Sequence, residues 1–89
     1  MREIDRSTRF KRDVDRMRKR GKDLSKLTVV IDLLVEGKPL PRRYRDHALT
    51  GDLAGFRDCH MEYDWVLIYA IQGNILLLFR TGTHADILE

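Results

Sequence analysis

Two apolar runs, Trp65-Val-Leu-Ile-Tyr-Ala-Ile71 and Ile75-Leu-Leu-Leu-Phe-Arg-Thr81, constrain this chain more than any other feature. Successive side chains of a strand point to opposite faces, so a strand with one wet face alternates apolar and polar. These runs are apolar on both parities, which places them centrally in a sheet with both faces at least partly covered. Gln72-Gly73-Asn74 between them has the composition of a tight turn. The pair reads as a central β-hairpin.

The rest of the chain must cover that hairpin. Residues 2–6 suit an edge strand. Ser7 can cap a helix, and Phe10, Val14 and Met17 then recur at helical spacing on one face. Arg18-Lys-Arg20 suits a helix C-terminus, and Gly21 ends it. A second helix starts at Asp23 or Ser25, buries Leu24, Leu27, Ile31 and Leu34, and stops at Gly37. The short connection predicts an antiparallel helical hairpin. Residues 38–54 read as a long loop, with Pro39 and Pro41 forbidding helix. Long loops in compact domains are often functional. A strand at 56–61 comes next, with Cys59 and Met61 on one face and Asp58 and His60 on the other. Residues 84–88 suit one closing helical turn. The expected fold is α+β: one domain over 1–89, a small antiparallel-rich sheet in the order β-α-α-β-β-β, and a helical hairpin packed on one face. The face carrying His60 is expected to be open.

With a single cysteine, Cys59, the chain can form no internal disulfide and no cysteine-based zinc site. The N-terminus lacks the apolar core of a signal peptide. The longest apolar stretch is far short of the roughly 20 residues a membrane helix needs. These features predict a soluble, cytoplasmic protein with no membrane partner. Residues 1–26 carry eleven lysines and arginines against five acids, whereas 58–89 carry Arg80 against five acids. That asymmetry fits a polyanion partner, and equally a solvated helix face.

Three histidines, His47, His60 and His84, are the residues that carry chemistry. An imidazole with an ordinary pKa of about 6.5 can give or take a proton near neutrality. His84 comes after the glycine turn of Arg80-Thr-Gly-Thr-His84; on position alone it reads more readily as a surface residue. Asp64, four residues after His60, can orient that imidazole or cap the turn. The loop Tyr44-Arg45-Asp-His47 can hold phosphate and stack on a base. Trp65 can do the same, or fill the core. Arg80 can offset charge developing on a phosphate. Together these groups satisfy the needs of RNA cleavage, because RNA carries its own nucleophile in the 2′-OH. A base, an acid and a few cations suffice, with no metal or other cofactor. The spacing of His47, His60, Asp64 and His84 matches no standard zinc pattern.

The run Tyr44-Arg-Asp-His47-Ala-Leu-Thr-Gly51, then Gly55-Phe-Arg-Asp-Cys-His60, Asp64-Trp65-Val-Leu-Ile-Tyr69 and Phe79-Arg-Thr-Gly-Thr-His84, resembles the YafQ-type toxins of the RelE/ParE superfamily. The resemblance implies a RelE-like fold and an endoribonuclease that cuts mRNA in the ribosomal A site and stops translation. It implies a functional set matching His47, His60, Asp64 and His84. It also implies a cognate antitoxin that wraps the toxin, the complex binding operator DNA. One departure is Leu88, where such chains commonly place an aromatic; another is Asp86, expected to act on the neighbouring His84. On this reading His84 is the general acid, or the base in the alternative assignment, and His60 oriented by Asp64 is the base. His47 and Arg80 hold the phosphate, and the basic N-terminal helix touches ribosomal RNA. Two other classes remain open: a ParE-like, non-enzymatic topoisomerase poison, in which three histidines have no task, and a pure binding module.

Overall fold

A computed structural model describes residues 1–88, and of Leu88 only the backbone, so the expectation about its side chain lies outside the described residues. The elements are β1 (Glu3–Arg6), α1 (Thr8–Lys19), α2 (Ser25–Val35), β2 (His47–Ala48), β3 (Arg57–Glu62), β4 (Trp65–Gln72), β5 (Ile75–Gly82) and α3 (His84–Leu88). Single 3-10 turns occupy Arg42–Tyr44 and Gly51–Leu53. The strands form one five-stranded sheet in the order β1-β5-β4-β3-β2. β1 runs parallel to β5, and every other pairing is antiparallel. The fold is α+β, as the hydrophobic pattern predicts. The expected order gains β2, inside the stretch read as a loop, and the closing helical turn is present as α3.

Local chemistry explains the helix limits. Ser7 Oγ accepts from Phe10 N at 2.9 Å, a cap of the sort worth about 1 kcal/mol, and donates to Phe79 O at 2.6 Å. The cap thus also ties α1 to β5. Gly21 and Gly37, both at positive φ, end the two long helices. Phe10 and Met17 of α1 and Leu27, Val30 and Leu34 of α2 meet Cys59, Trp65, Leu67, Tyr69, Leu76 and Leu78 of the sheet in one buried cluster. Ile31 and Leu24, expected on the inner stripe, pack at its edge, and Val30 takes the central place.

The second face of the sheet is less open than expected. Val66, Ile68 and Ala70 point away from the main cluster yet are buried. A bulge in β5 reverses the facing of the strand's last residues. One extra residue there means that Tyr69 pairs Leu78 while Ile68 pairs Arg80. Beyond a bulge the alternation shifts by one residue. Thr81 therefore faces the core, where its hydroxyl accepts from Trp65 Nε1 at 2.9 Å and donates to Val66 O at 2.7 Å. The strand then delivers Gly82 opposite Val66, which itself lies opposite His60.

Candidate functional site

Strand register brings the histidines together. His47 of β2 lies opposite Asp58 of β3, and Asp58 and His60 share the second face two residues apart. His84 begins α3 directly after β5, and its ring centroid lies 5.7 Å from that of His60. Asp64 sits in the two-residue turn between β3 and β4.

The carboxylate partners differ from the sequence expectation. Asp64 does not orient His60. Its Oδ1 accepts from His84 Nδ1 at 2.6 Å and from the His84 backbone N at 3.0 Å. Those two bonds hold the Asp64 carboxyl below its ordinary pKa, the backbone bond contributing most. With Nδ1–H committed to a carboxylate, the proton-exchanging atom of His84 is Nε2. His60 is instead held by Tyr63 O, 3.3 Å from Nδ1, and its Nε2 lies 3.3 Å from Asp58 Oδ1. His47 Nδ1 meets Arg45 O at 2.8 Å, which likewise assigns that nitrogen the proton. Arg45 itself adopts the left-handed conformation at φ 52°, rare for a non-glycine.

Asp58 is the residue that sequence reasoning passed over. Burial pushes its carboxyl pKa up, and His60, His47 and His84, in that order, draw it back down. All three imidazoles are thus electrostatically coupled to one carboxylate. Its Oδ1 is buried and has no hydrogen-bond partner among the described residues. The signal was present in the sequence, since residues two apart in a strand share a face. A group with a raised folded pKa favours the fold fully below its unfolded pKa, about 3.9, and that contribution is lost as pH rises through the folded value. The ionised carboxylate is then a burden at neutral pH. Asp58→Asn should raise the melting temperature at pH 7 and lose that advantage below about pH 4; equal melting temperatures at pH 7 would contradict the buried-charge assignment.

Several expected binding residues are placed elsewhere. Trp65 is fully buried in the core cluster and cannot stack on a base. Tyr44 is also buried there, with the Arg43 guanidinium 4.8 Å above its ring. Both corrections have one cause: an aromatic ring buries more apolar area in a small core than almost any other side chain. Arg80 is not free for a phosphate as expected. Its Nε donates to Asp13 Oδ2 at 2.7 Å and its Nη2 to Asp13 Oδ1 at 3.2 Å. Asp86 does not meet the His84 ring; its carboxylate binds Arg20 at 2.6 and 3.0 Å and accepts from Thr83 N at 3.0 Å. The Arg20 bonds, first among the causes, hold its carboxyl far below the usual range. Arg45 is exposed to solvent.

The site is therefore a cluster of three imidazoles and two carboxylates on the second face, with His84 and Asp64 exposed and His60 and Asp58 largely covered. It offers two imidazoles near one another, that of His84 with its tautomer set by Asp64, an arrangement suited to general acid–base catalysis. Among the described residues no three His, Cys, Asp or Glu side chains converge as a metal cage would require.

Known proteins share this sequence pattern and fold. A family model described as a bacterial toxin of type II toxin–antitoxin systems, YafQ, matches residues 2–89. The mRNA interferase toxin YafQ of Escherichia coli (strain K12) is 45% identical over 85 residues, covering 94% of this chain and 92% of the relative. A crystal structure of YafQ from E. coli strain BL21(DE3) superposes with a TM-score of 0.95 at 41% identity, covering 100% of both chains. The toxin in a crystal structure of the E. coli DinJ–YafQ complex gives a TM-score of 0.93 at 42% identity, again covering 100% of both chains.

Proposed function

The chain belongs to the YafQ family of bacterial type II toxins, and on that premise we propose that it is an endoribonuclease that cleaves mRNA in the ribosomal A site and so stops translation. The observation that carries this reading is the pair of imidazoles with centroids 5.7 Å apart, one held by Asp64 and the other beside Asp58. One imidazole takes the proton of the 2′-OH, and the resulting oxygen attacks the adjacent phosphorus. The bond to the 5′-oxygen breaks, and the second imidazole protonates that oxygen. The products are a 2′,3′-cyclic phosphate and a 5′-hydroxyl, and no atom beyond the RNA and two protons is involved.

His60, beside Asp58, is the base in this scheme. His84, oriented by Asp64, is the acid, and its greater exposure suits contact with the departing strand. His47, opposite Asp58 in the strand register, is the group for the scissile phosphate. Among the described residues no helix is long and apolar enough to cross a membrane. The partners of this reading are an antitoxin chain, since YafQ of E. coli is known in complex with DinJ, and the ribosome. Arg9 and Arg12 of α1, which have no carboxylate within 4.0 Å among the described residues, face ribosomal RNA. Operator DNA is bound by the toxin–antitoxin complex.

The test is to induce the chain in cells and map mRNA 5′ ends on a message with and without its start codon. New ends inside codons, absent when the start codon is removed, are expected. Cuts that persist without translation would make it a free ribonuclease. Intact mRNA with arrested replication would replace this reading with a topoisomerase poison.

A further inference from the structure

The edge of β3 beyond the two-residue β2 is unpaired over its last residues, since β2 pairs only with Arg57 and Asp58. A cleft of about 240 Å³ lies there, lined by Arg43, Arg45, His60, Met61, Glu62 and Tyr63. It borders the proposed base, His60, and shares Arg43, His60 and Met61 with a neighbouring cavity of about 360 Å³.

Among the described residues, three of these side chains have no carboxylate partner or core role of their own: Tyr63, Arg43 and Arg45. Tyr63 is 86% exposed, the most exposed aromatic among the described residues. The turn that carries it is nevertheless anchored at both residues: Tyr63 O meets the His60 ring, and Asp64 holds the His84 ring. The phenol ring is thus presented at the rim of the site on a fixed backbone. Arg43 is pre-placed against the Tyr44 ring, and neither it nor Arg45 has a carboxylate partner among the described residues. The one acid lining the cleft, Glu62, is already neutralised by Lys22 at 2.7 Å and Lys26 at 2.9 Å. Arg45 holds a backbone conformation rare for a non-glycine, a kind of strain that concentrates at sites that bind something.

Single-stranded RNA is recognised by stacking of unpaired bases on aromatic rings, with cations along the backbone. We propose that this cleft is the subsite for a nucleotide flanking the scissile phosphate, with its base stacked on Tyr63 and its phosphate held between Arg43 and Arg45. The inference rests on the ribonuclease reading for the position of the scissile phosphate, but its recognition chemistry is independent of cleavage.

The test uses the full chain and ribosomes programmed with mRNA carrying 2-aminopurine at successive positions around the cut. A 2′-deoxy substitution at the scissile nucleotide removes the nucleophile. At equal toxin occupancy, set by co-sedimentation, the wild type should quench fluorescence at one flanking position. Tyr63→Ala should abolish that quench and Tyr63→Phe should keep it. Stacking of one base supports roughly a tenfold or greater loss of affinity in Tyr63→Ala. Arg43→Gln combined with Arg45→Gln should weaken binding and flatten its salt dependence. Unchanged quenching in Tyr63→Ala, or equal loss in Tyr63→Phe, would overturn the proposal. So would a Tyr63→Ala protein that quenches normally but binds antitoxin weakly, which would mark a protein interface. A chain that quenches yet never cleaves the unmodified message keeps the subsite and removes the nuclease reading.

Discussion

Changing His84 to alanine is expected to slow single-turnover cleavage of ribosome-bound mRNA by about 10²–10⁴-fold, the usual contribution of one general acid or base. The effect should fall on the chemical step. His84 projects from the start of α3 with its Nδ1 on Asp64, so its loss removes a proton donor and frees a carboxylate already exposed to water. An exposed ion pair contributes little to folding, and the variant should melt close to the wild-type temperature. Antitoxin binding should persist. A rate within threefold of wild type would remove His84 from the mechanism. Because Asp64 fixes the tautomer that leaves Nε2 available, Asp64→Asn should also slow cleavage, by a smaller factor, and shift the pH–rate profile.

The second large effect concerns stability. Asp13 of α1 is 2% exposed, and its carboxylate accepts from Arg80 Nε at 2.7 Å, Arg80 Nη2 at 3.2 Å and Thr81 N at 3.1 Å. Asp13→Ala leaves a covered guanidinium and a buried amide without their acceptor. Breaking a buried pair from one side typically costs about 3–5 kcal/mol. In a chain of this size that corresponds to a fall in melting temperature on the order of 20 °C. Replacing both partners, as Asp13→Leu with Arg80→Met, should recover much of the loss, because no charge is then stranded. A single variant that melts within a few degrees of wild type would show that water takes over the role of the carboxylate. The same bonds hold Thr81, which carries the Trp65 bond and precedes the His84 turn. Lost activity in Asp13→Ala at temperatures where it remains folded is thus also expected.

These two sites mark the line between what was legible in the sequence and what was not. The central hairpin was readable because apolar residues on both parities leave few alternatives for 65–71 and 75–81. The helices were readable from Phe10, Val14 and Met17 and from the glycines beyond them. β2 was not, because two residues carry no periodicity; it exists through its pairing with Asp58 and Arg57. The three histidines were singled out as a group, and the strand register does bring them near one carboxylate. The assignment of partners failed for a physical reason. Asp64 is close to His60 along the chain, but the turn carries it across to the end of β5, 20 residues further on. Proximity in sequence is a poor guide wherever a turn intervenes. Arg80 illustrates the same limit, since its partner Asp13 lies 67 residues away and nothing local announces it. Trp65 and Tyr44 were ambiguous by type, and only the packing decides between core and surface.

The parallel pairing of β1 with β5 has a consequence for synthesis. The first strand made is zipped to the last, Glu3 beside Ile75 and Arg6 beside Leu78. Contacts of such long sequence separation form late, because the intervening loop must be closed first. While the chain is still being made, the helices and β3 have no completed sheet to rest on. The turn bearing His84 does not yet exist. A nascent copy therefore cannot present the paired imidazoles of His60 and His84, which come together only once the ends of the fold have met.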